Sequence, residues 1–201
     1  MEKTELVNRL KHASDEVVAA EQELTNIDAK FGDADHGLTM TKIATAIGTA
    51  AAAAEGNVQE ILDDVATAVM VLNGGSAVPL WNTWLDGLEE AAPAKDTVDV
   101  ADLKTMFNHA YEALEEISGA KAGDKTMMDA LIPATEAIAA CNGDENALFA
   151  SAAQAAEKGA ESTKAFVSKF GRAKSYGEKT IGTPDAGAVS MARFFRGLAK
   201  K

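Results

Sequence analysis

Apolar residues recur along most of this chain at the three- and four-residue spacing of an α-helix, and almost nowhere with the alternation of a strand. The clearest stretch runs from Val100 to Ser118, where Leu103, Met106, Phe107, Ala110, Leu114 and Ile117 share one face and Glu112, Glu115 and Glu116 lie mostly on the other. Such a stripe makes a helix that buries one side. The same pattern predicts helices over 4–24, 36–54, 58–72, 79–91, 126–141, 146–163 and 187–199, which brings the total to eight. Pro79 suits a first helical turn, where no backbone bond is lost, whereas Pro133 falls inside its helix and is expected to kink it. Gly56, Gly74-Gly75, Pro93, Gly123 and Gly143 punctuate the chain about one helix apart. Connections are mostly short, so successive helices are expected to be antiparallel neighbours in one bundle or barrel, a single domain over residues 1–201. The exception is 168–187, which carries five glycines and prolines and no helical pattern; a connection of that length is expected to be functional or mobile.

Composition strengthens the helical reading. Alanine, the best helix former, supplies 41 of the 201 residues, while aromatics, which favour strands, are 5%. The fold class is therefore all-α. Hydrophobic residues at 47% and charged residues at 25% exclude a wholly disordered chain. The lone cysteine, Cys141, excludes an internal disulfide or a cysteine-rich zinc site and fits a reducing compartment. No apolar run approaches about 20 residues and the start, MEKTELVNRLKHASDE, is charged throughout, so neither a membrane span nor a secretory signal is expected, and a cytoplasmic protein is. The net charge of -12 opposes binding to a nucleic-acid backbone. It does not oppose a phosphate bound through a metal ion.

The densest chemistry lies between the first two predicted helices, where Asp28, Asp33 and Asp35 place three carboxylates within eight residues, followed by His36 and Gly37. Such a cluster repels itself unless a cation neutralises it, and Mg²⁺, an oxygen-seeking ion usually shared between carboxylates and substrate phosphates, is the natural candidate. A calcium loop of the EF-hand type starting at Asp33 fails, because its fifth position is Gly37 and its twelfth is Ala44. The alternative is that Asp33 and Asp35 form a turn and cap the next helix. Gly74-Gly75-Ser76-Ala77 before Pro79 can bring backbone N–H groups to an anion, or can be a tight connection and no more. Gly123-Asp124-Lys125-Thr126 opens another helix, with Asp or Thr available as its cap. Arg172, Lys174 and Lys179 make the long connection the most basic unpatterned stretch, able to meet a phosphoryl group or simply to be solvated. His12 and His109 fall within helices and read as packing or surface residues.

Four segments, taken in order, resemble the nucleotide-binding L subunit of bacterial dihydroxyacetone kinases: Asp28-x4-Gly-Asp-Ala-Asp-His-Gly, Gly-Gly-Ser-Ala-Val-Pro-Leu at 74–80, Gly-Asp-Lys-Thr-Met-Met-Asp at 123–129, and the glycine-rich stretch 171–188. The resemblance covers essentially the whole chain. It implies an eight-helix antiparallel barrel with a nucleotide, ADP or ATP, at one end, its phosphates held through two Mg²⁺ ions by Asp28, Asp33 and Asp35. It further implies that His36, Gly37, Leu38, Thr39, Ser76, Ala77, Gly119 and Met127 lie against the nucleotide. Asp185, Ala186 and Gly187 would close the site from the long connection. Lys179 stands where the family usually has Arg after Gly-Glu and would act as the catalytic cation on the group in flight; Lys keeps the charge but loses the two-pronged donor geometry. Val78, Trp81 and Asn82 depart from the family pattern and are expected to reshape one wall, and Thr183-Pro184 replaces a usual His-Gln.

In such a system the phosphoryl group goes to dihydroxyacetone held on a separate K subunit, and in one branch bound ADP is recharged by a phosphohistidine-bearing M subunit of the phosphotransferase system. In the other branch ATP is the donor. An ATP-dependent subunit for another small ketose and a non-catalytic regulatory helical partner are the alternatives. A homodimer stays open, and neither nucleic acid nor membrane is an expected partner.

Overall fold

The computed structural model describes residues 1–201 and contains nine α-helices and no strand, only an isolated bridge between Glu2 and Thr97. They are α1 Lys3–Ala19, α2 Glu21–Asp28, α3 His36–Ala53, α4 Val58–Met70, α5 Ala77–Glu90, α6 Val100–Ser118, α7 Met128–Ala140, α8 Glu145–Ser162 and α9 Ala186–Leu198. Seven match the expected helices within about two residues at each end. The first does not: 4–24 breaks at Ala20 (φ -90°, ψ 2°), and α2 leaves on a new course that packs it on α3 and α9. No glycine or proline marks that break. Asn57–Glu60 and Asp99–Asp102 form reciprocal capping boxes at α4 and α6.

Each long helix packs on its chain neighbours, α1 on α3, α3 on α4 and so on to α8 on α9, and the ring closes where α9 packs back on α1. Eight helices thus make a closed barrel, with α2 as a short extra arm. Inside it, Trp81 and Trp84 of α5, Phe107 of α6, Phe149 of α8 and Phe194 and Phe195 of α9 pack in edge-to-face and tilted pairs, with ring centroids 5.2–6.2 Å apart. Pro133 lies within α7, and the Asp129 carbonyl that its missing N–H leaves free faces Gly159 of α8, where any Cβ would collide with it.

One end of the barrel is closed by its own loops. The Met1 amino group meets the Val98 carbonyl and Glu145, and Lys3 bonds the Gly56 carbonyl and Asp96. Arg9, fully buried there, donates to the Leu198 carbonyl (2.7 Å), Glu5 and Asn146, and stacks over Phe149. The opposite end stays open. Residues 168–187 cross it, and part of this segment forms a 3-10 stretch, Arg172–Thr180, interrupted at Gly177 (φ 55°, ψ -132°). No helix is long and apolar enough to cross a membrane.

Candidate metal and phosphate site

Because the helices alternate in direction, α3, α5, α7 and α9 all begin at the open end. His36, Ser76, Ala77, Met127, Ala186 and Gly187, from those four starts, line one cavity of about 300 Å³. A helix start presents unpaired N–H groups and the positive end of the dipole, so four together favour an anion. Two of the four, α3 and α5, have no side-chain cap to take those N–H groups. At α7 Thr126 Oγ1 accepts from the Met128 N–H at 3.2 Å, and α9 is capped by Asp185, whose carboxylate accepts from the Ala188 N–H at 2.7 Å.

The aspartate cluster stands beside this cavity. Asp28 ends α2, Asp33 and Asp35 follow on the connection to α3, and one oxygen from each lies within 4.8 Å of the others. The backbone is bent to achieve this. The Asp28 side chain occupies the place where a Cβ on Gly32 would stand, and Ala34 adopts the left-handed conformation at φ 63°, a strain of the kind that collects at functional sites. Asp35 takes the N-cap position of α3 but its carboxylate makes no cap bond, so a simple turn-and-cap role does not account for it. Desolvation, then the charges of Asp33 and Asp28, push its pKa up. Asp28 Oδ2 is buried with no hydrogen-bond partner, and the only cation on the cluster is Arg172, whose guanidinium reaches Asp33 Oδ2 at 2.6 Å. A buried orphan carboxylate oxygen among all-oxygen donors fits a hard divalent ion such as Mg²⁺.

The remaining expected residues are placed unevenly. Asp28, Asp33, His36, Ser76, Ala77, Met127, Asp185, Ala186 and Gly187 line the cavity. Gly37, Leu38, Thr39, Gly119 and Lys179 do not. Gly37 is buried because α2 presses on it, with Thr25 and the Glu21 carbonyl where a Cβ would go, and Thr39 packs under Gly74. Leu38 is exposed, and Gly119 terminates α6 in the left-handed conformation. Lys179 is exposed beyond the Gly177 break, and the loop turns Arg172 to the aspartates instead. Of the unusual residues in the second segment, Trp81 lines the cavity floor, whereas Asn82 turns away to the Ala66 carbonyl. His36 Nε2 is 3.3 Å from Ser190 Oγ, and burial holds its pKa below the usual value against the pull of Asp28.

Two further acids shape the wall without reaching the cluster. Asp129 accepts from the N–H groups of Gly123 (2.5 Å) and Thr126 (2.8 Å), which folds the Gly-Asp-Lys-Thr segment into the start of α7. Asp124 does not cap α7; it holds the Lys121 N–H and the Lys169 ammonium. Desolvation pushes Asp185 up to about 7, with the Asp129 charge adding to it while the Ala188 N–H and Lys125 oppose it. A larger groove of about 560 Å³ runs outside α8 and α9 over an alanine floor, and most of its charged groups, Glu23 with Arg193 and Glu161 with Lys164 among them, are already paired.

Comparison with known proteins agrees with the all-α fold. The DAK2 domain model matches residues 30–200. The chain is 29% identical over 203 residues to the ADP-binding subunit DhaL of the PEP-dependent dihydroxyacetone kinase of Escherichia coli, covering 99% of this chain and 97% of that one. It is 34% identical to a second such subunit, from Listeria innocua, over 83% and 80% of the two chains. A D-erythrulose kinase of Mycolicibacterium smegmatis is 37% identical over 96% of this chain, which spans only 35% of that longer protein. Among solved structures, the dihydroxyacetone kinase of C. freundii superposes with a TM-score of 0.73 at 26% identity, covering 96% of this chain and 33% of that one, and its complex with AMP-PNP and Mg²⁺ gives 0.71. The chain therefore belongs to the DAK2 domain family.

Proposed function

We propose that this protein carries a Mg-nucleotide and passes a phosphoryl group to dihydroxyacetone held on a separate K subunit, with ADP kept as a coenzyme that a phosphohistidine-bearing M subunit recharges in the cytoplasm. The observation that carries the reading is the orphaned Asp28 oxygen in a carboxylate triad set against four converging helix starts, two of them uncapped. Asp28, Asp33 and Asp35 would hold the Mg²⁺ ions, two in this reading. Bound there, the metal supplies charge neutralisation to the phosphate oxygens. The N–H groups at Ser76, Ala77 and Met127 are free to receive phosphate oxygens, and Asp185 fixes α9 so that Ala186 and Gly187 border the same space. Gly37 and Thr39 support that wall from behind, while Leu38 and Gly119 stand at its margins. The cation for the group in flight is assigned to Arg172 rather than Lys179, because Arg172 lines the cavity and has a planar two-pronged donor.

The identity to a D-erythrulose kinase, 37%, and to an L-erythrulose kinase of Pectobacterium atrosepticum, 34%, favours a second reading: an ATP-dependent donor acting on a four-carbon ketose. Purified protein is denatured and the released small molecules are identified by mass spectrometry. The apoprotein is then titrated with Mg-ADP and assayed with K subunit, using either ATP or a phosphorylated M subunit as donor and either ketose as acceptor. Retained ADP and transfer only from the M subunit support the first reading. Transfer from ATP to erythrulose supports the second. Absence of Mg-dependent nucleotide binding overturns both.

A further inference from the structure

Lys125 has the setting of a phosphate-binding lysine: a Gly-Asp-Lys-Thr segment, a helix start and a place on the wall of an anion cavity. Its contacts exclude that role. The side chain is only 4% exposed, and its ammonium lies 2.8 Å from the Thr163 carbonyl, 3.1 Å from Phe166, 2.8 Å from Thr180 and 2.6 Å from Thr183. An ammonium has three protons, and four acceptors already share them. The backbone at Lys125 is itself in the left-handed region, at φ 61°, a cost that persists only where surrounding structure imposes it.

The four carbonyls fall in two pairs, Thr163 and Phe166 just before the segment that crosses the open end of the barrel, and Thr180 and Thr183 near its far end. Between them the chain carries Phe170, Gly171 and Arg172, which line the cavity, and Arg172 reaches Asp33. Just past the second pair, the Asp185 N–H donates to Thr163 Oγ1 at 2.8 Å, so the same clip fixes the start of α9. We infer that Lys125 is a positioning residue, whose ammonium pins both ends of the 163–183 segment and thereby holds Arg172 and the α9 start at the nucleotide cavity. Four carbonyl dipoles converging on one buried point repel each other without a cation, so an uncharged side chain of equal length cannot substitute. Asp129 and Asp185 are the carboxylates whose charges act on this ammonium, and they favour its charged form against desolvation. The consequence for nucleotide retention rests on the proposed function; the loop geometry does not.

The test compares the full-length wild type with Lys125→Met and Lys125→Arg. Limited trypsin digestion with peptide mapping reads cleavage after Arg172, Lys174 and Lys179, with Lys104 and Lys158 in α6 and α8 as internal controls. A fluorescent ADP analogue with Mg²⁺ gives the nucleotide dissociation rate. In Lys125→Met, cleavage confined to the loop and nucleotide release each rise by about tenfold, the scale set by losing a charge-assisted bond. Lys125→Arg keeps the charge but not the geometry, and recovers part of both. Loop cleavage at the wild-type rate in Lys125→Met overturns the inference, as does faster nucleotide release without faster loop cleavage, which would make Lys125 a phosphate ligand. If Lys125→Met fails to fold, Lys125→Arg decides by the same comparison with wild type. Faster loop cleavage in a protein that never binds Mg-ADP upholds the clip and rejects the proposed function.

Discussion

Asp28 shows most sharply how this site trades folding energy for binding. Its buried oxygen has no partner and two more carboxylates stand close by, an arrangement that costs stability and that the proposed cation would relieve. Asp28→Asn replaces the orphan acceptor by a neutral amide. We expect it to leave the melting temperature in EDTA unchanged or higher, and to weaken Mg-ADP binding by more than about tenfold in calorimetry. A second residue-scale outcome concerns Asp185. Desolvation raises its folded pKa to about 7 from a usual value of 3.8, so between those values the folded state holds a proton that the unfolded state has lost. Stability from this group is therefore full at low pH and falls as pH rises towards 7. Asp185→Asn, which can still cap α9, should flatten that part of the wild-type curve of melting temperature against pH, measured in EDTA without nucleotide. The convergence of the three aspartates was legible in the sequence because acids within eight residues of one another on a short connection stay close however it folds. The Lys125 clip was not, since its partners are main-chain oxygens 38 to 58 residues away and leave no side-chain signature.

At the scale of elements, the helices were legible because each buries one face against a core, and apolar spacing records that directly. The break at Ala20 was invisible, since tertiary packing of α2 on α3 and α9 imposes it on residues that would continue a helix. The seam that closes the ring is α1 on α9, and there Gly197 faces the Ala13 Cα and the His12 carbonyl, with no room for a Cβ. Gly197→Ala must push two backbones apart, which costs about 1–3 kcal/mol and lowers the melting temperature by roughly 2–12 °C for a chain of this length. The same glycine exposed on an outer face would give the opposite sign, because Ala is the better helix former. The long connection marks the other limit of sequence pattern. Its basic residues were visible, but which of them faces the aspartates depends on the turn at Gly177. Arg172→Ala should cut phosphoryl transfer by at least about tenfold, as loss of a charge-stabilising donor does, whereas Lys179→Ala should stay within a few-fold of wild type in the same assay. Equal losses in the two variants would return the catalytic charge to Lys179.

Over the whole molecule, a net charge of -12 surrounds a cavity built for anions, and the two facts are reconciled locally. Alternation of helix direction in an even-membered ring sends four N-termini to one end, where their dipoles favour phosphate, while the three aspartates beside them forbid an uncompensated one. Neither partner is then welcome alone. Free ADP meets the carboxylates, and free Mg²⁺ meets the positive helix ends and Arg172. The pair together satisfies both fields. A ligand that binds only the folded state stabilises it by RT ln(1 + [L]/Kd), about 4 kcal/mol at a thousandfold excess over Kd, which for a chain of about 200 residues is roughly 10 °C in melting temperature. We therefore expect thermal melts of stripped protein to move little with Mg²⁺ alone or with ADP plus EDTA, and to rise by that amount with both. A full rise with ADP in EDTA would show that the helix starts and loop cations suffice, and would remove the metal from this account of the aspartates.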